Sequence, residues 1–108
     1  MIQLTALYGH PQDPAAFDAY YAQTHGPLAA KIPGLRGYIS NKSTALNPNE
    51  KPPHYLIAEL YFDSMESLQA AFQTPEGQAA TADVPKFATG GCTLVIGEVT
   101  TYTPVSIS

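Results

Sequence analysis

A chain of 108 residues, 44% hydrophobic and 13% charged, suits one domain spanning residues 1–108 and is long enough to bury a single core. Five Lys and Arg against nine Asp and Glu leave a net charge of −4 without any basic run, which argues against nucleic acid or an anionic membrane surface as a partner. One cysteine excludes an internal disulfide, and without a basic, apolar leader or a long apolar run the expected compartment is the reducing cytoplasm.

Residues 2–8 alternate, with Ile2, Leu4 and Ala6 on one side and Gln3, Thr5 and Leu7 on the other, as expected of a half-buried strand. Gly9, His10, Pro11 and Gln12 then make a turn. The stretch 13–35, DPAAFDAYYAQTHGPLAAKIPGL, predicts an amphipathic helix that ends on a histidine. Asp13 is its N-cap and Pro14 its first residue. Phe17, Tyr20, Tyr21, Thr24 and Leu28 form its apolar stripe, with His25 on or beside the same face. Gly26 is expected to close the helix in a left-handed cap, and Pro27 to forbid continuation. After a break at Pro33-Gly34, residues 35–45 predict a second strand with Arg36, Tyr38, Ser40 and Lys42 on one face. Residues 46–53, polar and proline-rich, read as a long loop. A third strand over 54–62 places His54, Leu56, Ala58, Leu60 and Phe62 opposite Tyr55, Ile57, Glu59 and Tyr61. Asp63 with Glu66 suggests a capping box for a second helix, whose stripe is Met65, Leu68, Ala71 and Phe72. Thr74-Pro75 restarts a third helix over 76–82. Residues 84–91 read as irregular, and 92–103 as a final strand stopped by Pro104.

The order β-α-β-β-α-β predicts an α+β, ferredoxin-like layer: a four-stranded antiparallel sheet with helices on one face. Tyr, Ile and Leu on both faces of the second and third strands imply that the other face is buried as well, and a homodimer packed through its sheet faces does this.

His25 is the leading candidate for chemistry, because an imidazole titrates near neutral pH and can act as general acid or base. The helix C-terminus favours its imidazolium and burial favours the neutral ring. The alternative is a capping histidine bonded to a carbonyl of its own helix. Tyr38 can donate to a carbonyl or enolate oxygen if its face lines a pocket, or it can pack in the dimer interface. His54 can meet His25 across such a pocket, or lie solvated beside Pro52-Pro53. Tyr8, Phe17, Tyr21 and Tyr61 are candidates for the pocket wall and equally ordinary core residues. Glu59 is a carboxylate in an apolar strand, either a base whose pKa burial raises or, the favoured reading, the partner of Arg36 on the neighbouring strand if the register allows. Cys92 reads as a buried inert thiol, and His10 as a turn residue. The three histidines lack the spacing of a metal site, and no phosphate loop or dinucleotide fingerprint occurs, so no metal or cofactor is expected.

The run Phe17, Tyr20, His25, Pro27, Leu28, then Pro33-Gly34-Leu35 and Tyr38, resembles the EthD family of dimeric α+β barrel proteins. AELYFDSMESLQAAFQTPEG, residues 58–77, is similar to that family's third strand and second helix. The resemblance implies a protomer with a pocket between sheet and helices, paired with a second copy through the sheets. The family is named for ethyl tert-butyl ether degradation, where its member accompanies a cytochrome P450 system. Its wider superfamily includes lactone isomerases, polyketide cyclases, cofactor-free monooxygenases and haem enzymes. The expected function is cofactor-free acid/base or oxygen chemistry on a small apolar, aromatic or lactone substrate in a degradation or biosynthetic pathway. The label oxidoreductase would follow from family association, and lyase or isomerase from the superfamily. The alternatives are a non-catalytic carrier or accessory to an oxygenase system, and a purely structural dimer.

Overall fold

The computed structural model describes residues 1–105. Four strands, β1 (Ile2–Tyr8), β2 (Gly37–Lys42), β3 (Leu56–Phe62) and β4 (Cys92–Glu98), form one antiparallel sheet in the order β2-β3-β1-β4. This is the α+β ferredoxin-like arrangement. The register pairs Leu4 with Leu60 and Ile96, and Ala6 with Ala58 and Leu94. Residues paired across a ladder share a face, so alternation along β1 and β3 sends Leu4, Ala6, Tyr8, Leu56, Ala58, Leu60 and Phe62 into the core. The helices α1 (Pro14–Tyr20), α2 (Gly26–Ala29), α3 (Met65–Gln73) and α4 (Pro75–Asp83) cover that face.

Asp13 caps α1 as expected, its Oδ1 accepting from the Ala16 amide at 3.1 Å, with Pro14 as first residue. The expected end at His25 does not occur. Residues Tyr21–His25 form a π-helical turn, and the chain continues directly into α2. Gly26 is right-handed, with φ −56°, and its amide donates to the Tyr21 carbonyl five residues back. A Cβ on Gly26 would sit 3.0 Å from that carbonyl oxygen, so glycine serves close approach here rather than a left-handed cap. Pro27 has no N–H to donate and its ring needs clearance from the preceding turn; the widened turn supplies that clearance. The left-handed glycine is Gly34, with φ 84°, in the turn before β2.

The extra residue in the π-turn also moves the buried stripe. Phe17, Tyr21, His25 and Ala29 face the core at even steps of four, whereas Thr24 is exposed and Leu28 only half-buried. Ser64, not Asp63, caps α3, accepting from the Ser67 amide at 3.1 Å. Asp63 instead lies 3.4 Å from Arg36, an exposed pair. Thr74 both ends α3 and caps α4, as its place before Pro75 implies. At that corner, a Cβ on Gly77 would meet the Ala71 carbonyl oxygen at 2.2 Å. The final strand stops at Glu98 rather than Thr103, β2 covers Gly37–Lys42 of the expected 35–45, and β3 covers Leu56–Phe62 of the expected 54–62. Among the described residues no helix is long and apolar enough to cross a membrane.

Candidate functional site

Between sheet and helices lies a cavity of about 140 Å³. Its floor is apolar: Leu4, Ala6, Ala58 and Leu60 from the sheet, with Ala29, Ile32 and Ala80 from the helix layer. Its polar atoms come from Tyr8 at the end of β1, Tyr21 and His25 in the π-turn, Tyr38 on β2, Cys92 at the start of β4, and Thr81 on α4, whose hydroxyl donates to the Gly77 carbonyl. The widened turn presents Tyr21 and His25 together, because four residues apart within it they share one side.

His25 is 5% exposed and packs on Phe87 and Tyr21, ring centroids 4.7 and 5.2 Å away. Its Nδ1 donates to Oδ2 of Asp83 at 3.0 Å. The acceptor decides the tautomer: a carboxylate requires the proton on Nδ1 and leaves a lone pair on Nε2. Nε2 has no hydrogen-bond partner among the described residues. Burial lowers the His25 pKa below its ordinary 6.5, and the hydrogen bond and charge of Asp83 only partly oppose it. The ring is therefore neutral at neutral pH.

Asp83, 4% exposed, is the hub of this network. Tyr20 donates to its Oδ1 at 2.6 Å, and the Lys86 ammonium stands 3.8 Å from the same oxygen. Burial alone would raise its carboxyl, but the hydrogen bonds from Tyr20 and His25, reinforced by Lys86, hold it below the usual carboxylate value. On the other side of the Tyr21 ring, the Tyr21 and Tyr38 hydroxyls meet at 2.5 Å. Burial pushes both phenols up, and pushes Tyr8 up beside Cys92. All three keep their protons at neutral pH. A pair of phenols holds two hydroxyl protons and spends one between themselves, so one remains for an oxygen in the cavity. Cys92 is a half-buried thiol, raised by burial.

The other expected site residues are elsewhere. His54 lies in the loop before β3 and lines a separate surface depression with Pro52, Pro53 and Asn41, so the structure does not bring it to His25. Phe17 packs in the aromatic core against Tyr8, Tyr21 and Phe87 without lining the cavity. Tyr61 points to the opposite sheet face, where its hydroxyl donates to Glu59 at 2.6 Å, which raises its pKa to about 12. Glu59 does not pair with Arg36. The register sets Glu59 against Ile39, and Arg36, three residues away, projects from the other face. His10 bonds the Pro52 carbonyl at 2.7 Å. Among the described residues no group of three or more His, Cys, Asp or Glu could hold a metal ion.

Asp83 is the site residue that the sequence reading passed over. Its signal is a carboxylate at the last position of a helix, where the macrodipole disfavours negative charge.

Residues 9–91 match the EthD domain family. The chain belongs to the EthD family. It is 42% identical over 104 residues to an uncharacterised 11.0 kDa protein in the thcB-thcC intergenic region of Rhodococcus erythropolis, covering 96% of this chain and all of that one. A crystal structure of an EthD family protein from Bacillus halodurans superimposes with a TM-score of 0.86 at 45% identity, over 93% of this chain and 99% of the other. More distant structures share the fold. One is a dimeric ferredoxin-like protein of unknown function from Thermobifida fusca, with TM-score 0.69, 17% identity, and coverage of 91% and 90%. Another is SnoaB, a cofactor-independent oxygenase from Streptomyces nogalater, with TM-score 0.58, 14% identity, and coverage of 96% and 94%.

Proposed function

We propose that this EthD protein moves a proton on a small, largely apolar molecule that carries an oxygen, without a cofactor. The observation that carries the reading is a neutral, buried histidine whose Nδ1–H is held by Asp83 and whose ring borders an apolar cavity. In this reading His25 Nε2 is the general base, and Asp83 is the positioning residue that fixes its tautomer and stabilises the imidazolium once formed. The free hydroxyl proton of the Tyr21–Tyr38 pair donates to the substrate oxygen as negative charge develops there. Proton transfer next to a carbonyl, or at an acidic hydroxyl, is a step common to isomerase, cyclase, decarboxylase and cofactor-free oxygenase chemistry, and SnoaB, which shares the fold, is a cofactor-independent oxygenase. A cavity of about 140 Å³ matches a single ring, since engineered apolar cavities of about 150 Å³ take up benzene.

The test is deuterium incorporation, followed by NMR in D₂O, at the α-carbon of small cyclic and aryl ketones. The wild type is expected to accelerate exchange, His25→Ala to return it to the buffer rate, and Asp83→Asn to slow it by about 10²–10⁴-fold. Exchange that His25→Ala sustains in full would overturn the reading.

One observation favours a second reading, a non-catalytic carrier. The His25–Asp83 bond also ties the π-turn to the end of α4, which is all a binding protein requires of it. Ketone binding that persists in His25→Ala, with no exchange by the wild type, would establish the carrier. In either role we propose a homodimer through the sheet face bearing Ile39, Ile57, Tyr61 and Val95, and a cytoplasmic location.

A further inference from the structure

The sheet is not covered evenly by its helices. Leu94 and Ile96 pair with the buried Ala6 and Leu4, so they face the helix side, yet they are 59% and 44% exposed. The helices α3 and α4 stand off β4 and leave a groove lined by Leu4, Leu68, Phe72, Leu94 and Ile96. Four residues, Leu4, Phe72, Thr81 and Leu94, line both this groove and the His25 cavity. The groove holds about 570 Å³ against about 140 Å³ inside. Apart from the amides of Gln69, Gln73 and Gln78 and the hydroxyl of Thr81, its lining is apolar, and it carries no charged side chain.

We infer that the cavity and groove form one elongated binding site, and that the natural ligand is a ring bearing an oxygen function with an apolar tail. The ring sits beside His25 and the tyrosine hydroxyls; the tail leaves past Phe72 and Leu94 and lies along Leu68 and Ile96. The inference rests on the proposed reading of His25 as the polar end of the site. The four shared lining residues argue for the tail as occupant: they set the two spaces side by side, so a substituent on a ring in the cavity reaches the groove past them. The uncharged lining selects a hydrocarbon tail rather than a carboxylate- or phosphate-bearing one.

The experiment is a calorimetric titration of the full chain with phenol and its 4-alkyl derivatives from ethyl to octyl. Affinity should rise about two- to fourfold per methylene until the groove is filled. Ile96→Asp, which places a charge on the groove wall but does not touch the cavity, should flatten that rise and leave phenol itself unchanged. Gln69→Trp, a second groove residue that is exposed, should cap the series at a shorter chain by filling space. An affinity independent of chain length would overturn the inference and leave the groove to a second copy or to the chain's own C-terminal segment. So would a rise that Ile96→Asp leaves intact while it changes only the sedimentation mass. The failure of the His25 reading is distinct: the chain-length series would persist while ketone exchange proved independent of His25.

Discussion

His25 is the only histidine that the fold buries, and its environment makes it a base rather than a cation. Two opposing effects meet there. Desolvation favours the neutral ring, the Asp83 carboxylate favours the imidazolium, and desolvation prevails. The sign of the resulting pH dependence follows. Because folding favours the neutral ring, the His25 contribution to stability is complete above about pH 6.5, where the unfolded ring is neutral too. It is lost as pH falls from there toward the lower folded-state value, while Asp83, itself depressed, still carries its charge. The thermal midpoint should therefore drop between pH 7 and pH 5 in the wild type, and drop less in His25→Gln, which keeps a neutral side chain at every pH. Equal drops in the two proteins, measured by calorimetry, would remove His25 from the account of acid stability. His25 and Tyr38 were legible because imidazole and phenol stand out in an apolar pattern. Asp83 was not, since 58 residues separate it from the ring it holds.

At the scale of elements, most boundaries were readable wherever a side chain closes a local hydrogen bond. Asp13 before Pro14 and Thr74 before Pro75 gave their helix starts directly. Ser64 and Asp63 are both competent caps, and the choice between them depends on the direction from which β3 enters the helix, which is a tertiary property. The π-turn was the larger departure. Gly26-Pro27 reads as a terminator when only α-helical geometry is considered. One added residue in the turn makes proline compatible with continuation, and it also turns His25 inward in place of Thr24. A local backbone irregularity thus decides which side chain reaches the cavity, the usual setting for such bulges. The final strand ends early because β4 lies at the sheet edge: its pairing stops with β1, which itself begins at Ile2.

For the whole molecule, the ferredoxin-like layer followed from the element order β-α-β-β-α-β, and the alternation of β1 and β3 fixes which face the helices cover, because their inner face is continuously apolar. The outer face is apolar enough to require cover: Leu7, Ile39, Ile57 and Val95 accompany the Glu59–Tyr61 pair. Sedimentation should therefore give twice the 11.5 kDa chain mass, and Ile57→Asp should halve it; a wild-type monomer at micromolar concentration would refute the sheet-face dimer. The most direct test of the central claim is the protonation of His25, read from long-range ¹⁵N correlations of its ring across pH. A neutral ring is expected at pH 7 with the proton on Nδ1 and a free lone pair on Nε2, titrating below 6.5 and lower still in Asp83→Asn. An imidazolium at pH 7, or a neutral ring protonated on Nε2, would contradict it.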